Sequence, residues 1–274
     1  MRFDIFFGYG SALPPIPRVV RTLLDEMGNE AFGTNELARL MGADQVLSAR
    51  LLKLANSAHF CMPQAVSSLH QAIQLLGLVN VRALVISVGL MGSFVQLPEP
   101  WLKRFWRHNL LTAAVARHWA PAAGHSPELA HTLGLLQGIG QLLMRLVDPK
   151  QMQALDAQAD PFSPERLALE HATLGYTYTD ISAELARRWQ LPAQFAKVLA
   201  AVAEPAAHPG EPLAALVHLA AWQVWATEQG LSPDQQLAAW PNPVALLAGV
   251  ADAVGVVPLA PWDEICPELD VLLG

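Results

Sequence analysis

Thr34-Asn35-Glu36-Leu37-Ala38-Arg39-Leu40-Met41-Gly42-Ala43-Asp44, running on into 46–56, is the stretch whose reading sets the fold class. Leu37, Leu40 and Met41 recur at i, i+3 and i+4, and Leu47, Leu51 and Leu54 continue the spacing in the next segment. Positions so spaced lie on one face of a 3.6-residue helix, so two short helices are predicted around a Gly-containing turn. No part of the chain shows sustained period-two alternation rich in β-branched residues, and no Asn-Gly or Asp-Gly turn occurs. Strands are therefore not expected.

Outward from this stretch, helix starts are marked by cap chemistry. Ser126-Pro127-Glu128, Ser163-Pro164-Glu165 and Ser232-Pro233-Asp234 each offer a hydroxyl N-cap, a proline at the first helical position and an acid behind it. The hydroxyl accepts from an orphan N–H, the proline has no N–H to lose, and the acid meets the positive helix end. Ser68-Leu69-His70-Gln71 fits a capping box. With 21 prolines, mostly between helical patterns, the expectation is an all-α chain of many short helices.

The hydrophobic fraction of 53% and charged fraction of 15% over 274 residues describe a globular chain able to bury a large core. The charge is uneven. Residues 1–95 carry seven Lys/Arg against six Asp/Glu, residues 96–230 ten against twelve, and the last 44 residues no Lys or Arg and six acids. Such a chain has no general attraction for a phosphate backbone. Cys61 and Cys266 are far apart and lack metal or redox spacing, which suits a reducing cytosol. The longest apolar stretch, 83–95, is interrupted by Ser and Gly and is shorter than the roughly 20 residues that span a bilayer. The N-terminus lacks a long apolar run and carries Asp4 early, so no signal peptide is expected. A soluble, cytoplasmic protein is the expectation. Proline pairs near 96–100 and a Gly at 230 suggest three parts: 1–96, 97–230 and an acidic 231–274 extension.

An order of motifs then carries a family resemblance. Leu13-Pro14-Pro15-Ile16-Pro17, Leu51-Leu52-Lys53-Leu54-Ala55-Asn56-Ser57 and Ala72-Ile73-Gln74-Leu75-Leu76-Gly77 stand in the first part. Trp106-Arg107-His108, Gly134-Leu135-Leu136-Gln137-Gly138-Ile139-Gly140, Glu170-His171 and Val217-His218-Leu219-Ala220 follow in the second. The whole resembles the HD-related output domain (HDOD) family of bacterial signalling proteins, over roughly 13 to 225. The resemblance implies a two-lobed, all-α unit whose second lobe is related to HD-type metal phosphohydrolases. Those enzymes hold a divalent metal with a His, a later His-Asp pair and a final Asp, because the metal needs imidazole and carboxylate converging from several helices.

Carried over residue by residue, the metal set fails. His108 stands at the first His, but Gln137-Gly138 replaces the His-Asp pair and Ala221 stands at the final Asp. A catalytic metal centre is not expected, and no metal or other cofactor is assigned. His108, Gln137, Gly138 and His171 remain as candidates for a vestigial small-ligand pocket, against the plainer reading of packed residues left from ancestry. The other histidines show no zinc spacing.

The 34–56 segment superficially resembles a DNA-reading helix-turn-helix, yet its second helix has only Arg50 and Lys53 as cations among four leucines. It reads as core-facing. Asn56 reads as a C-cap or inter-helix strut, the eight tryptophans as packing, and Cys61 as buried and inert. No phosphate loop, dinucleotide fingerprint or Gly-x-Ser-x-Gly occurs. The leading expectation is a non-catalytic regulatory domain that binds another signalling protein or a small ligand, with nucleic acid disfavoured and no membrane. The rivals are a nucleotide phosphohydrolase with an altered site and a nucleic-acid-binding regulator using 34–56.

Overall fold

The computed structural model describes residues 3–7, 15–26, 29, 31–56, 65–250, 261–266 and 269–273. Seventeen α-helices and two 3-10 turns make up their regular structure, and no strand occurs among the described residues. The protein is all-α.

The predicted pair forms α2 (Thr34–Gly42) and α3 (Gln45–Ala55). Leu37 and Met41 of α2 and Leu47, Leu51 and Leu54 of α3 are buried, each worth about 1.5–3 kcal/mol of transfer free energy. The Asp44 carboxylate caps α3, accepting from the N–H groups of Val46 and Leu47. Asn56 is a strut: its amide nitrogen donates to Leu52 and Val66 carbonyls, and its amide oxygen accepts from the Val66 N–H at 2.7 Å. Its φ of −97° is not left-handed. Ser57 and Cys61 lie outside the described residues.

The Ser68 hydroxyl caps α4 (Leu69–Leu76) through the Gln71 N–H. The return bond expected of a capping box goes one residue astray, from the Ser67 N–H to the Gln71 side chain. Gly77, at φ +83°, then turns the chain by 112° into α5 (Leu78–Gly92). A positive φ strains any residue with a Cβ, so glycine is required there. Nearly every side chain of α5 from Val81 to Val88 is buried, and α1 (Arg18–Asp25) packs across it.

The second part is organised on the long α6 (Glu99–Trp119). It packs against α7 (Pro127–Leu136) and α13 (Pro212–Glu228). Next to these, α8 (Ile139–Val147) packs on α11 (Tyr178–Arg188), which packs on α12 (Ala193–Ala201). α9 (Pro149–Asp156) and α10 (Glu165–Leu174) close one side. The Ser126 hydroxyl caps α7, and Ser232 forms a full capping box with Gln235 on α14 (Pro233–Ala238). Ser163 does not cap: α10 starts one residue later than predicted, and the Ser163 hydroxyl is buried without a hydrogen-bond partner among the described residues.

The parts share one continuous apolar core. The 3-10 turn Phe3–Phe6 sits on the later helices, with Phe3 and Phe6 edge-on to Tyr176 at 5.7 Å and Arg188 over Phe7. Arg82 of α5 pairs with Glu128 at the start of α7 (3.2 Å) and donates to the Phe32 carbonyl (2.7 Å) while lying over the Phe32 ring. From the last segment, α15 (Asn242–Leu247) packs on α13, and Trp240 is buried edge-on to Trp222 and Trp119. Leu247 and Trp262 are partly buried, while Leu246 is exposed. α16 (Trp262–Ile265) and α17 (Leu269–Leu273) lie on α6, and α17 also touches α3. Among the described residues no single helix is long and apolar enough to cross a membrane.

Candidate functional site

The Gly134–Gly140 motif ends α7 and opens α8. A Cβ on Gly134 would lie 2.7 Å from the Ala113 Cα, and one on Gly140 would lie 2.0 Å from the Tyr178 carbonyl oxygen. Real Cβ atoms do not pack so closely, so these glycines let α7 ride directly on α6 and α8 on α11. Gly138 serves a side chain instead: its Cβ position is 2.7 Å from the Asn109 amide oxygen.

This close packing holds Gln137 between α6 and α11. Its amide nitrogen donates to Asn109 Oδ1 at 2.9 Å, and its amide oxygen accepts from the Tyr178 hydroxyl at 3.2 Å. Its main-chain carbonyl accepts from Ser182 Oγ at 2.9 Å, and Ser182 Oγ accepts from the Gly140 N–H at 2.8 Å. Asn109 donates onward to the Phe105 carbonyl. Both ends of the Gln137 amide are thus engaged inside the protein. Burial, and secondarily the Glu170 charge, raises the Tyr178 hydroxyl above its ordinary pKa, which keeps it a neutral donor.

His108, the residue before Asn109 on α6, is 1% exposed. Its ring stacks on Phe162 (centroids 4.1 Å apart, 12° between planes), and Nδ1 lies 3.2 Å from Glu228 Oε2. Glu228 also pairs with Arg107 at 3.4 Å, and Arg104 lies over the Phe162 ring, 5.2 Å from its centroid, while pairing with Asp160. Ala221, where a metal-ligating acid would be expected, is partly buried on α13. The carboxylate that meets His108 comes two turns later on the same helix.

His171 is exposed on α10 and shares no hydrogen bond or ring contact with His108 among the described residues. Its neighbour Glu170 turns inward instead. One Glu170 oxygen accepts from Arg166 Nε at 2.8 Å and the other from the Tyr178 N–H at 2.7 Å. Arg166 also donates to Asp156, which pairs with Arg145. Burial pushes the Glu170 carboxyl above its ordinary range, opposed by Arg166 and the Tyr178 N–H.

The divalent metal implied by HD enzymes does not fit these residues. One imidazole is present and committed to Glu228, the Gln137 amide is satisfied at both ends, and Gly138 and Ala221 supply no ligand. Among the described residues no group of three or more His, Cys, Asp and Glu could hold a metal. The family resemblance pointed to His108, Gln137 and Gly138 but not to Asn109, Phe162, Tyr178, Ser182 and Glu228. The signal that could have found Asn109 is Gly138 itself, because a lost side chain leaves room for a neighbour.

The HDOD domain family matches residues 13–205. The chain belongs to the HDOD domain family. It is also 27% identical over 183 residues to an uncharacterised protein of Treponema pallidum (strain Nichols), covering 66% of this chain and 35% of that relative. The HDOD chain thus spans about a third of the curated relative's length. Its fold is similar to an HDOD domain protein of unknown function from Geobacter sulfurreducens (TM-score 0.79, 22% identity, 99% of this chain and 98% of that one). It is similar as well to a Shewanella amazonensis SB2B protein provisionally named a phosphohydrolase (TM-score 0.73, 25% identity, 98% and 96%).

Proposed function

We propose that this HDOD chain is a non-catalytic regulatory domain that works in the cytoplasm by binding another signalling protein. The observation that carries the reading is the Gln137 amide, bonded to Asn109 on one side and Tyr178 on the other where an HD enzyme would present His-Asp to a metal. Freeing it would leave buried polar groups unpaired, at about 1–3 kcal/mol each. An amide oxygen is in any case a weak ligand for a transition metal. The carboxylate of Glu228 completes His108 as an internal hydrogen-bonded pair rather than as a metal ligand. The name of the Shewanella relative favours the rival reading, a phosphohydrolase.

Metal analysis of the purified protein, with bis(p-nitrophenyl) phosphate turnover assayed in added Mn²⁺, separates the two. The expected result is substoichiometric metal and no metal-stimulated turnover. Stoichiometric Mn, Fe or Zn with turnover that disappears in His108→Ala would sink the proposal.

A further inference from the structure

A recess of ≈ 420 Å³ opens between α3, α5, α6 and α17, and His108, Gln137 and Glu228 do not line it. Its walls are mostly apolar: Val46 from α3, Val88 and Met91 from α5, Leu102 from α6, and Leu272 and Leu273 from α17. Val95, on the link from α5 to α6, stands at its edge. Val46 is 61% exposed and Val95 68%, so two of the chain's exposed large aliphatic side chains frame this opening. Clustered exposed apolar side chains around a recess mark a binding surface more than scattered ones do.

The polar groups are what select an occupant. Arg50 lines the recess, and its Nη1 is buried without a hydrogen-bond partner among the described residues. Trp106 lines it too, 2% exposed, with its indole Nε1 sealed in the interior and without a partner among the described residues. Charged donors are nearly always satisfied, so a guanidinium on an apolar recess with an unpaired nitrogen favours an acidic occupant. The other charged side chains there, Glu99 and Lys103, are exposed and pair with each other at 3.3 Å. Arg50 therefore supplies the uncompensated charge. A second cavity, ≈ 460 Å³, shares Val46, Val88 and Gly92 with the first and extends it along α5 toward Pro17 and Val19. Its acid, Asp44, is occupied in capping α3.

We propose that this groove binds a small amphipathic anion, a carboxylate carrying an unbranched apolar chain. The carboxylate takes the guanidinium of Arg50, and the chain lies along Val46, Val88 and Met91. One spare cation beside the Glu99 carboxylate suits a monoanion better than a dianionic phosphate. The site is independent of whether the HD positions turn over a phosphate ester.

Isothermal titration with decanoate, decanol, decyl phosphate and decyltrimethylammonium, all below their micellar concentrations, tests it on the full chain. Decanoate is expected to bind saturably at one site, decanol about tenfold or more weakly, and the cation not at all. Arg50→Gln is expected to bring decanoate down to the affinity of decanol and leave decanol unchanged. Gly92→Leu blocks the groove: nothing lies within 4 Å of a Cβ built there, so the larger side chain enters without a clash and both ligands lose affinity while the helical circular dichroism stays native. Absence of saturable decanoate binding overturns the proposal. So do tighter binding of decyl phosphate, equal affinity for all four ligands, or undiminished decanoate binding in Arg50→Gln or in a natively folded Gly92→Leu.

Discussion

The environment of Gln137 and the groove beside Arg50 lie on the same long helix, α6, and treat polar groups in opposite ways. Around Gln137 the amide, the Tyr178 and Ser182 hydroxyls and the Asn109 side chain bond to one another, and a glycine yields its side-chain space to a neighbour. Beside Arg50, two buried donors are left without acceptors among apolar walls. The Gln137 amide, at a position matched by resemblance to a metal enzyme, is engaged at both ends, whereas Arg50 Nη1 has no acceptor among the described residues.

The largest expected break in this contrast is Arg166→Met. It strips the buried Glu170 carboxylate of its cation (both side chains at most 1% exposed) beside the Tyr178 N–H that positions the closed site. A loss of about 3–5 kcal/mol in urea unfolding is expected; a loss below about 1 kcal/mol would mean the pair does not hold this region shut. Gly138→Ala should follow at about 1–3 kcal/mol, because its methyl would press on the Asn109 amide and displace the bond to Gln137.

His131, buried on α7 with its Nδ1 unpartnered among the described residues, sharpens the comparison through pH. Burial, with help from the Arg117 charge, lowers its pKa from 6.5 to about 3. Its unfolded form takes up a proton as pH falls through 6.5 and the folded form does not, so stability is full above 6.5 and falls below it. By pH 5 the loss from this residue is about 2 kcal/mol. In His131→Leu, the difference in unfolding free energy between pH 7.5 and pH 5 should shrink by about that amount; an unchanged slope would show that the α7 interior admits the proton. The smallest effect is expected on the open side. Gly92→Ala should change stability by no more than about 0.5 kcal/mol, and a cost equal to that of Gly138→Ala would mean the groove is not free space.

Features fixed by chain neighbours were legible in the sequence. The apolar faces of α2 and α3 and the caps at Ser126 and Ser232 depend on bonds within a few residues, and the family motifs placed His108 and Gln137. Ser163 has the same local pattern as the other two caps, but packing places its hydroxyl away from the orphan N–H groups. Arg166 and Glu170 have the i,i+4 spacing of an ordinary surface pair, and only the tertiary fold shows them to be dry. The bond between His108 and Glu228 spans 120 residues, and no local spacing encodes it. The groove was illegible for the same reason: its walls come from α3, α5, α6 and the end of the chain.

Arg82 fastens the early helices to the later ones. Its guanidinium holds the Glu128 carboxylate, the Phe32 carbonyl and the face of the Phe32 ring, with its own side chain 5% exposed. In mechanical terms it is a rivet through the seam between α5 and α7, and dissolved ions have little access to it. Raising ionic strength should loosen exposed surface pairs such as Glu99–Lys103 well before it loosens this joint. The two halves are therefore expected to move as one rigid part, even in brine.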